Sequence, residues 1–252
     1  MLYSLLTSFV DTFSFLNVFK YLTFRTGLSL MTSLIIVFLV GGPLIKMFSK
    51  RDITGPIRQD GPIDHIIKKT GTPTMGGIII IIGILSSTLM WANLKNVYIW
   101  SLIFITFGLG CLGFIDDLLK IKFKNSQGLN SKLKFFGQFI IGLVTLLFLI
   151  NFSSHEYLNN LYFPFFKNLI LDLGIFFIPF GLLVIIGSSN AVNLTDGLDG
   201  LAAGCSGIVF YGLGTEILIK EQQELFIFSI LCYSMSGICL GFLKYNSYPA
   251  KI

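Results

Sequence analysis

Charge is scarce in this chain. Only 12% of its 252 residues are Asp, Glu, Lys or Arg, 54% are hydrophobic, and the mean hydropathy is +0.80. A water-soluble domain of this length could hardly stay in solution with so few charges, so that class is excluded. Cysteine is sparse too: Cys111, Cys205, Cys232 and Cys239 all lie in apolar stretches, with no CxxC pair and no Cys/His group at metal-ligand spacing. Neither a disulfide framework nor a zinc site follows, and the thiols read as packing groups. Of the two histidines, His65 reads as a surface residue and His155 takes no role. The sequence has no internal repeat, no low-complexity tract and no soluble domain boundary; its longest polar stretch, 49–75, is a loop. Residues 1–22 are apolar but broken by Asp11 and Lys20, and they lack a basic start and a small-residue cleavage site. They read as an interfacial or partly embedded segment rather than a removable signal peptide.

What is present is a series of apolar runs. Seven are long enough to cross a bilayer as helices, near 28–48, 76–94, 98–115, 135–152, 171–189, 199–219 and 225–243. The expected fold class is therefore all-α, a polytopic transmembrane helix bundle. Loop 49–75 carries Lys50, Arg51, Arg58, Lys68 and Lys69, and loop 118–134 carries Lys120, Lys122, Lys124, Lys132 and Lys134. The alternate connections carry one lysine each, Lys95, Lys167 and Lys220. Basic loops stay in the cytoplasm, which predicts the N-terminus outside and the C-terminus inside.

Three polar constellations interrupt the apolar sequence, and ionisable groups flanked by membrane-length apolar sequence mark working sites by default. The first is Gly113-Phe114-Ile115-Asp116-Asp117, at the end of the third run. Adjacent carboxylates there suit metal coordination or general-base work, and a solvated helix end is the plain alternative. On a helix they point about 100° apart and need not share one ligand. A helix C-terminus disfavours anions, which favours a functional reading. The second is the segment 190–200, in which Asn193, Asp196 and Asp199 recur every third residue and would share one side of a helical turn, with Asn190 just upstream. Gly197 and Gly200 allow close backbone approach or a break. Amides with carboxylates suit a sugar, a nucleobase or hydrated Mg²⁺. Capping of the next helix by Thr195 or Asp196 is the alternative, but a cap needs one such residue. The third is loop 55–77, whose Pro-Gly punctuation predicts structured turns and whose Gly71, Gly76 and Gly77 leave backbone amides open to a phosphate. Its basic residues alone mean no more than topology or contact with anionic lipid. Together, carboxylates and lysines beside the headgroup layer fit phosphoryl transfer between a lipid phosphate and a soluble phosphate compound.

The motifs DGPIDH, GTPTMGG, GFIDD, NAVNLTDGLDG and GFLKYNSYPAK, in this order and spacing, closely resemble the bacterial phospho-N-acetylmuramoyl-pentapeptide-transferase family, within the polyprenyl-phosphate N-acetylhexosamine-1-phosphate transferase superfamily. The likeness runs from residues 16–25 to the last residue. It implies a Mg²⁺-dependent enzyme of the bacterial inner membrane, active at its cytoplasmic face. Undecaprenyl phosphate would attack UDP-N-acetylmuramoyl-pentapeptide, releasing UMP and forming the first lipid-linked peptidoglycan precursor. By the same resemblance, Asp116 and Asp117 match the catalytic pair, one of them a candidate base. Lys69, Thr74, Lys134, Asn190, Asn193, Asp196 and Asp199 match substrate-facing positions, and Asp117 and Asp196 are the candidate metal ligands. A homodimer is a further expectation, and no nucleic-acid partner is expected.

Two departures stand out. Between His65 and Gly71 the chain carries one residue more than the common spacing, which makes the transfer of a role to His65 or Lys68 less secure than to Lys69. After Pro249-Ala250 the family pattern runs on into a Phe-Met-Gly-Asp segment, whose aspartate is a principal Mg²⁺ ligand, and then into further spans and a histidine-rich loop. The expectation is thus a single membrane-embedded transferase domain over 1–252 that lacks the family's C-terminal part, with about seven of its ten spans. The rival readings are a catalytically silent remnant, a sister N-acetylglucosamine-1-phosphate transferase, and a transporter.

Overall fold

The computed structural model describes residues 1–55, 71–124, 128–153, 158–163, 166–219 and 226–252. Arg58, His65, Lys68, Lys69, His155 and Lys220 lie outside the described residues.

An all-α membrane bundle is what forms. Its helices are α1 (Leu2–Ser8), α2 (Leu22–Lys50), α3 (Gly77–Trp91), α4 (Val97–Phe123), α5 (Ser131–Phe152), α6 (Phe177–Thr195), α7 (Leu201–Ile219) and α8 (Phe226–Asn246). Six of them, α2 and α4 to α8, are long and apolar enough to cross a membrane. The run expected near 76–94 yields α3, of 15 residues and so about 22 Å, short of a hydrocarbon core of about 30 Å. The fifth run also differs from expectation. Residues Phe166–Asp172 form a strand, β2, which pairs antiparallel with β1 (Asn160–Phe163), and helix α6 begins only at Phe177. Short apolar runs fit either period, and here the strand ladder satisfies the backbone outside the span.

Helix ends follow local chemistry. The Asn96 side chain caps α4 by accepting the Tyr98 N–H at 2.8 Å, and Asn130 caps α5 by accepting the Lys132 N–H at 3.0 Å. Lys124, in the left-handed region at φ 48°, closes α4.

Helix α8 runs parallel to α2 and antiparallel to α3 and α7, and these four make the tighter half of the bundle. Small residues permit the approach. Gly237 of α8 lies against the Leu30 carbonyl and Ser33 of α2, and Gly207 of α7 lies against Cys239 of α8. Ser87 links three helices through its hydroxyl, donating to the Ser29 carbonyl at 2.8 Å and pairing with Ser234 at 2.9 Å. The other half, α4 to α6, joins through α3 against α4 and a lighter contact of α6 with α7.

Alternating directions give the bundle two distinct ends. One carries β1, β2 and the N-terminal segment, where Met1 donates to the Leu89 carbonyl at 2.6 Å. Buried Arg25 there lies over the Tyr3 ring at 4.0 Å. Helix α1 and a 3-10 turn at Ser14–Lys20 make up most of that segment. The opposite, polar end gathers the C-termini of α2, α4, α6 and α8 and the N-termini of α3, α5 and α7.

Candidate active site

The polar end brings both carboxylates of the α4 pair onto lysines. Asp116, 7% exposed, accepts from Lys120 at 2.6 Å on Oδ2 and from the Leu129 backbone N–H at 2.7 Å on Oδ1. Lys134 of α5 stands 4.0 Å from the same Oδ2. Asp117 accepts from Lys120 at 3.1 Å and is the more exposed of the two. The carboxylates therefore do share a partner, because Lys120 sits four residues after one and three after the other, where helix neighbours meet.

Gly128 makes the close approach of the 128–130 segment feasible. Its φ of +61° favours glycine, and a Cβ there would stand 2.5 Å from Asp116 Oδ1 and 2.7 Å from Lys120 Cε. The following N–H is the one that Asp116 accepts.

The 190–200 segment departs from the expected helical turn. Helix α6 ends at Thr195, Asp196 leaves helical geometry at ψ 52°, and Gly200 adopts φ +77°. Asn193, Asp196 and Asp199 are thus not stacked on one helix face: Asn193 lies on the last turn of α6, and the two aspartates lie in the turn that follows. Thr195 does not cap α7 but donates back to the Val192 carbonyl at 2.7 Å. Asn193 and Asp196 are exposed. Asp199 accepts the Ala250 N–H at 3.1 Å, while Asn246 accepts the Gly200 N–H at 3.1 Å and donates to the Ile252 carbonyl at 2.9 Å. Asn190 is held across helices, donating at 2.9 Å to Gln138 of α5.

Thr74 is half-buried, and its N–H donates to the Ile53 carbonyl at 3.2 Å beside a Thr54–Pro73 bridge. Gly76 packs against Phe242 and Ile252. Residues 71–77 of that loop are thus docked against the end of α8. Lys69 lies outside the described residues.

Among the described residues no three His, Cys, Asp or Glu side chains come together to hold a metal ion. Had Asp196 joined the Asp116–Asp117 pair, the three would form such a group. Among the described residues, Asp116, Asp117 and Asp196 do not form a metal cage.

Residues 99–252 match the family model of glycosyl transferase family 4. A phospho-N-acetylmuramoyl-pentapeptide-transferase of Pelagibacter ubique is 53% identical over 264 aligned residues, covering 100% of this chain and 73% of the relative. The enzyme of that name from Thermodesulfovibrio yellowstonii is 48% identical, and that from Granulibacter bethesdensis 39%, each with the same coverage. The chain belongs to the phospho-N-acetylmuramoyl-pentapeptide-transferase family. Membership makes it a phosphosugar transferase and a multi-pass membrane protein by kind.

Two residues of this transferase-family site were not singled out as site residues from the sequence. Lys120 read only as a topology signal, although its spacing from both aspartates on a helix was visible. Gln138 is an amide set among apolar residues, and such a group in a membrane helix calls for a partner.

Proposed function

We propose that the chain transfers phospho-N-acetylmuramoyl-pentapeptide from its UDP-linked donor to undecaprenyl phosphate at the cytoplasmic face of the bacterial inner membrane. The observation that carries this reading is the Asp116–Asp117–Lys120–Lys134 cluster at the polar end of a chain of this family. An oxygen of the lipid phosphate attacks the phosphorus that bears the sugar. The bond from that phosphorus to the oxygen it shares with the UMP phosphate breaks, and UMP leaves with the bonding pair. The product is a lipid diphosphate sugar, reached by direct attack.

Asp117, the more exposed carboxylate, takes the proton of the lipid phosphate if it arrives protonated. Asp116, buried and bound by a backbone N–H, sets the position of both lysines. Lys120 and Lys134 offset the charge that gathers on the phosphate oxygens. Thr74, Asn193, Asp196 and Asp199 belong to the donor side, and so does Lys69 by resemblance. Magnesium, with Asp117 and Asp196 as its candidate ligands, is a separate proposal from the resemblance that the placement of the acids does not support.

Asp117→Asn and Asp116→Asn, assayed in membranes with the UDP-linked muramoyl pentapeptide and undecaprenyl phosphate, test this reading. Each is expected to lower UMP release by about 10²-fold or more while expression holds. Unchanged turnover in both would remove the pair from the chemistry. Equal or faster use of UDP-N-acetylglucosamine by the unaltered chain would favour the sister transferase.

A further inference from the structure

We propose that Gln138 is a positioning residue, which acts through Asn190 to hold the polar end of α6 in register with the lysine end of α5. The inference rests on the transferase reading for its kinetic consequence and on geometry alone for its structural one.

Gln138 is 4% exposed, at the start of the third turn of α5. Its Nε2 donates to Ser189 Oγ at 2.9 Å and approaches Asn190 Oδ1 at 3.5 Å, and its Oε1 accepts from Asn190 Nδ2 at 2.9 Å. Asn190 Nδ2 also donates to the Ile186 carbonyl of its own helix at 2.8 Å. Both amide hydrogens of Asn190 are therefore committed within the protein. This is an unexpected outcome for a residue that the sequence placed among the substrate contacts.

The pair sits where it can transmit position. Four residues before Gln138 on α5, one helical turn, lies Lys134, which faces Asp116. Three residues after Asn190 on α6 lies Asn193, and Asp196 follows at the end of that helix. Helix α6 leans chiefly on α5 and only lightly on α7, and it exposes Leu183 at 70% and Leu194 at 81%. Apolar side chains facing lipid do not fix a helix's rotation, since lipid tails offer them an equivalent environment. A two-sided amide pair with a hydroxyl beside it does, because sliding or rotating α6 would strand buried donors. Below it the Gly142–Leu182 and Gly181–Leu146 contacts set the distance between the helices, not the direction of the polar end.

The test combines kinetics with a distance measurement on the full chain in membranes. Gln138→Leu and Asn190→Leu are each expected to raise the donor KM about tenfold with a smaller effect on kcat, and the double variant to be no worse than either single. The exchanged pair Gln138→Asn with Asn190→Gln is expected to recover most of the loss. Spin labels on Phe136→Cys and Val192→Cys, in a Cys111→Ser, Cys205→Ser background, are expected to give a narrow distance distribution that Gln138→Leu broadens. Multiplying losses in the double variant would make Asn190 a substrate contact in its own right and overturn the proposal. So would an unchanged distance distribution, or a fall in folded protein at constant KM. If the unaltered chain transfers no phosphosugar, the functional reading fails, and the label distances alone then decide whether the amide pair sets the register.

Discussion

At the scale of single residues, the site depends on a position with no chemistry of its own. Gly128 lets the loop after α4 come within reach of Asp116, in a left-handed conformation and with no room for a Cβ. Gly128→Ala would push against Asp116 Oδ1 and Lys120 and draw the Leu129 N–H away from the carboxylate. A displacement near 1 Å at reacting groups costs about 10²-fold, so turnover should fall by that order while the chain still inserts. Gly113→Ala on the same helix, with nothing within 4 Å of the added carbon, should leave turnover unchanged. Initial rates of UMP release with the two variants check the contrast, and equal rates would show that the loop does not set the site. Sequence reading found the aspartate pair because charge in an apolar run stands out. It did not find Gly128, whose requirement comes from a neighbour folded back over it rather than from local sequence.

At the scale of elements, the apolar runs were legible because length and hydropathy decide what can span a bilayer, and each of the seven is occupied by a helix. Their ends were less legible. Leu171 and Asp172 read as the start of a span and end a strand instead. The three-residue spacing through Asp199 read as a helical turn, but the chain leaves helical geometry at Asp196. Packing between elements was invisible, since it depends on which glycine faces which helix. Gly237 shows the consequence: an added Cβ would meet the Leu30 carbonyl oxygen and Ser33 Oγ of α2, and backbone cannot step aside as a side chain can. Gly237→Ala should cost roughly 1–3 kcal/mol and lower the melting temperature in detergent by about 5 °C. Gly212→Ala, on α7 with nothing within 4 Å, should melt as the unaltered chain does. Should both melt alike, the close α2–α8 crossing would not be what holds this half together.

At the scale of the whole molecule, the two ends of the bundle differ in kind, and the difference bears on where the reaction can occur. The polar end carries Lys50, Arg51, Lys120, Lys122, Lys124, Lys132 and Lys134 beside the aspartate pair, while the other carries the β-hairpin and exposes Tyr162, Phe166 and Ile170. Lysine-rich ends are retained in the cytoplasm, which predicts the aspartate pair on that side; the proposed function requires it there, since a nucleotide-linked donor would be available on that side alone. With Cys111 and Cys205 replaced by serine, Tyr162→Cys should react with an impermeant maleimide on intact cells, and Lys124→Cys only after the membrane is opened. The reverse pattern would put the aspartates and lysines on the side without nucleotide sugar. The cluster would then need another substrate, however well its geometry suits phosphate, because a site can act only on what reaches its side of the membrane.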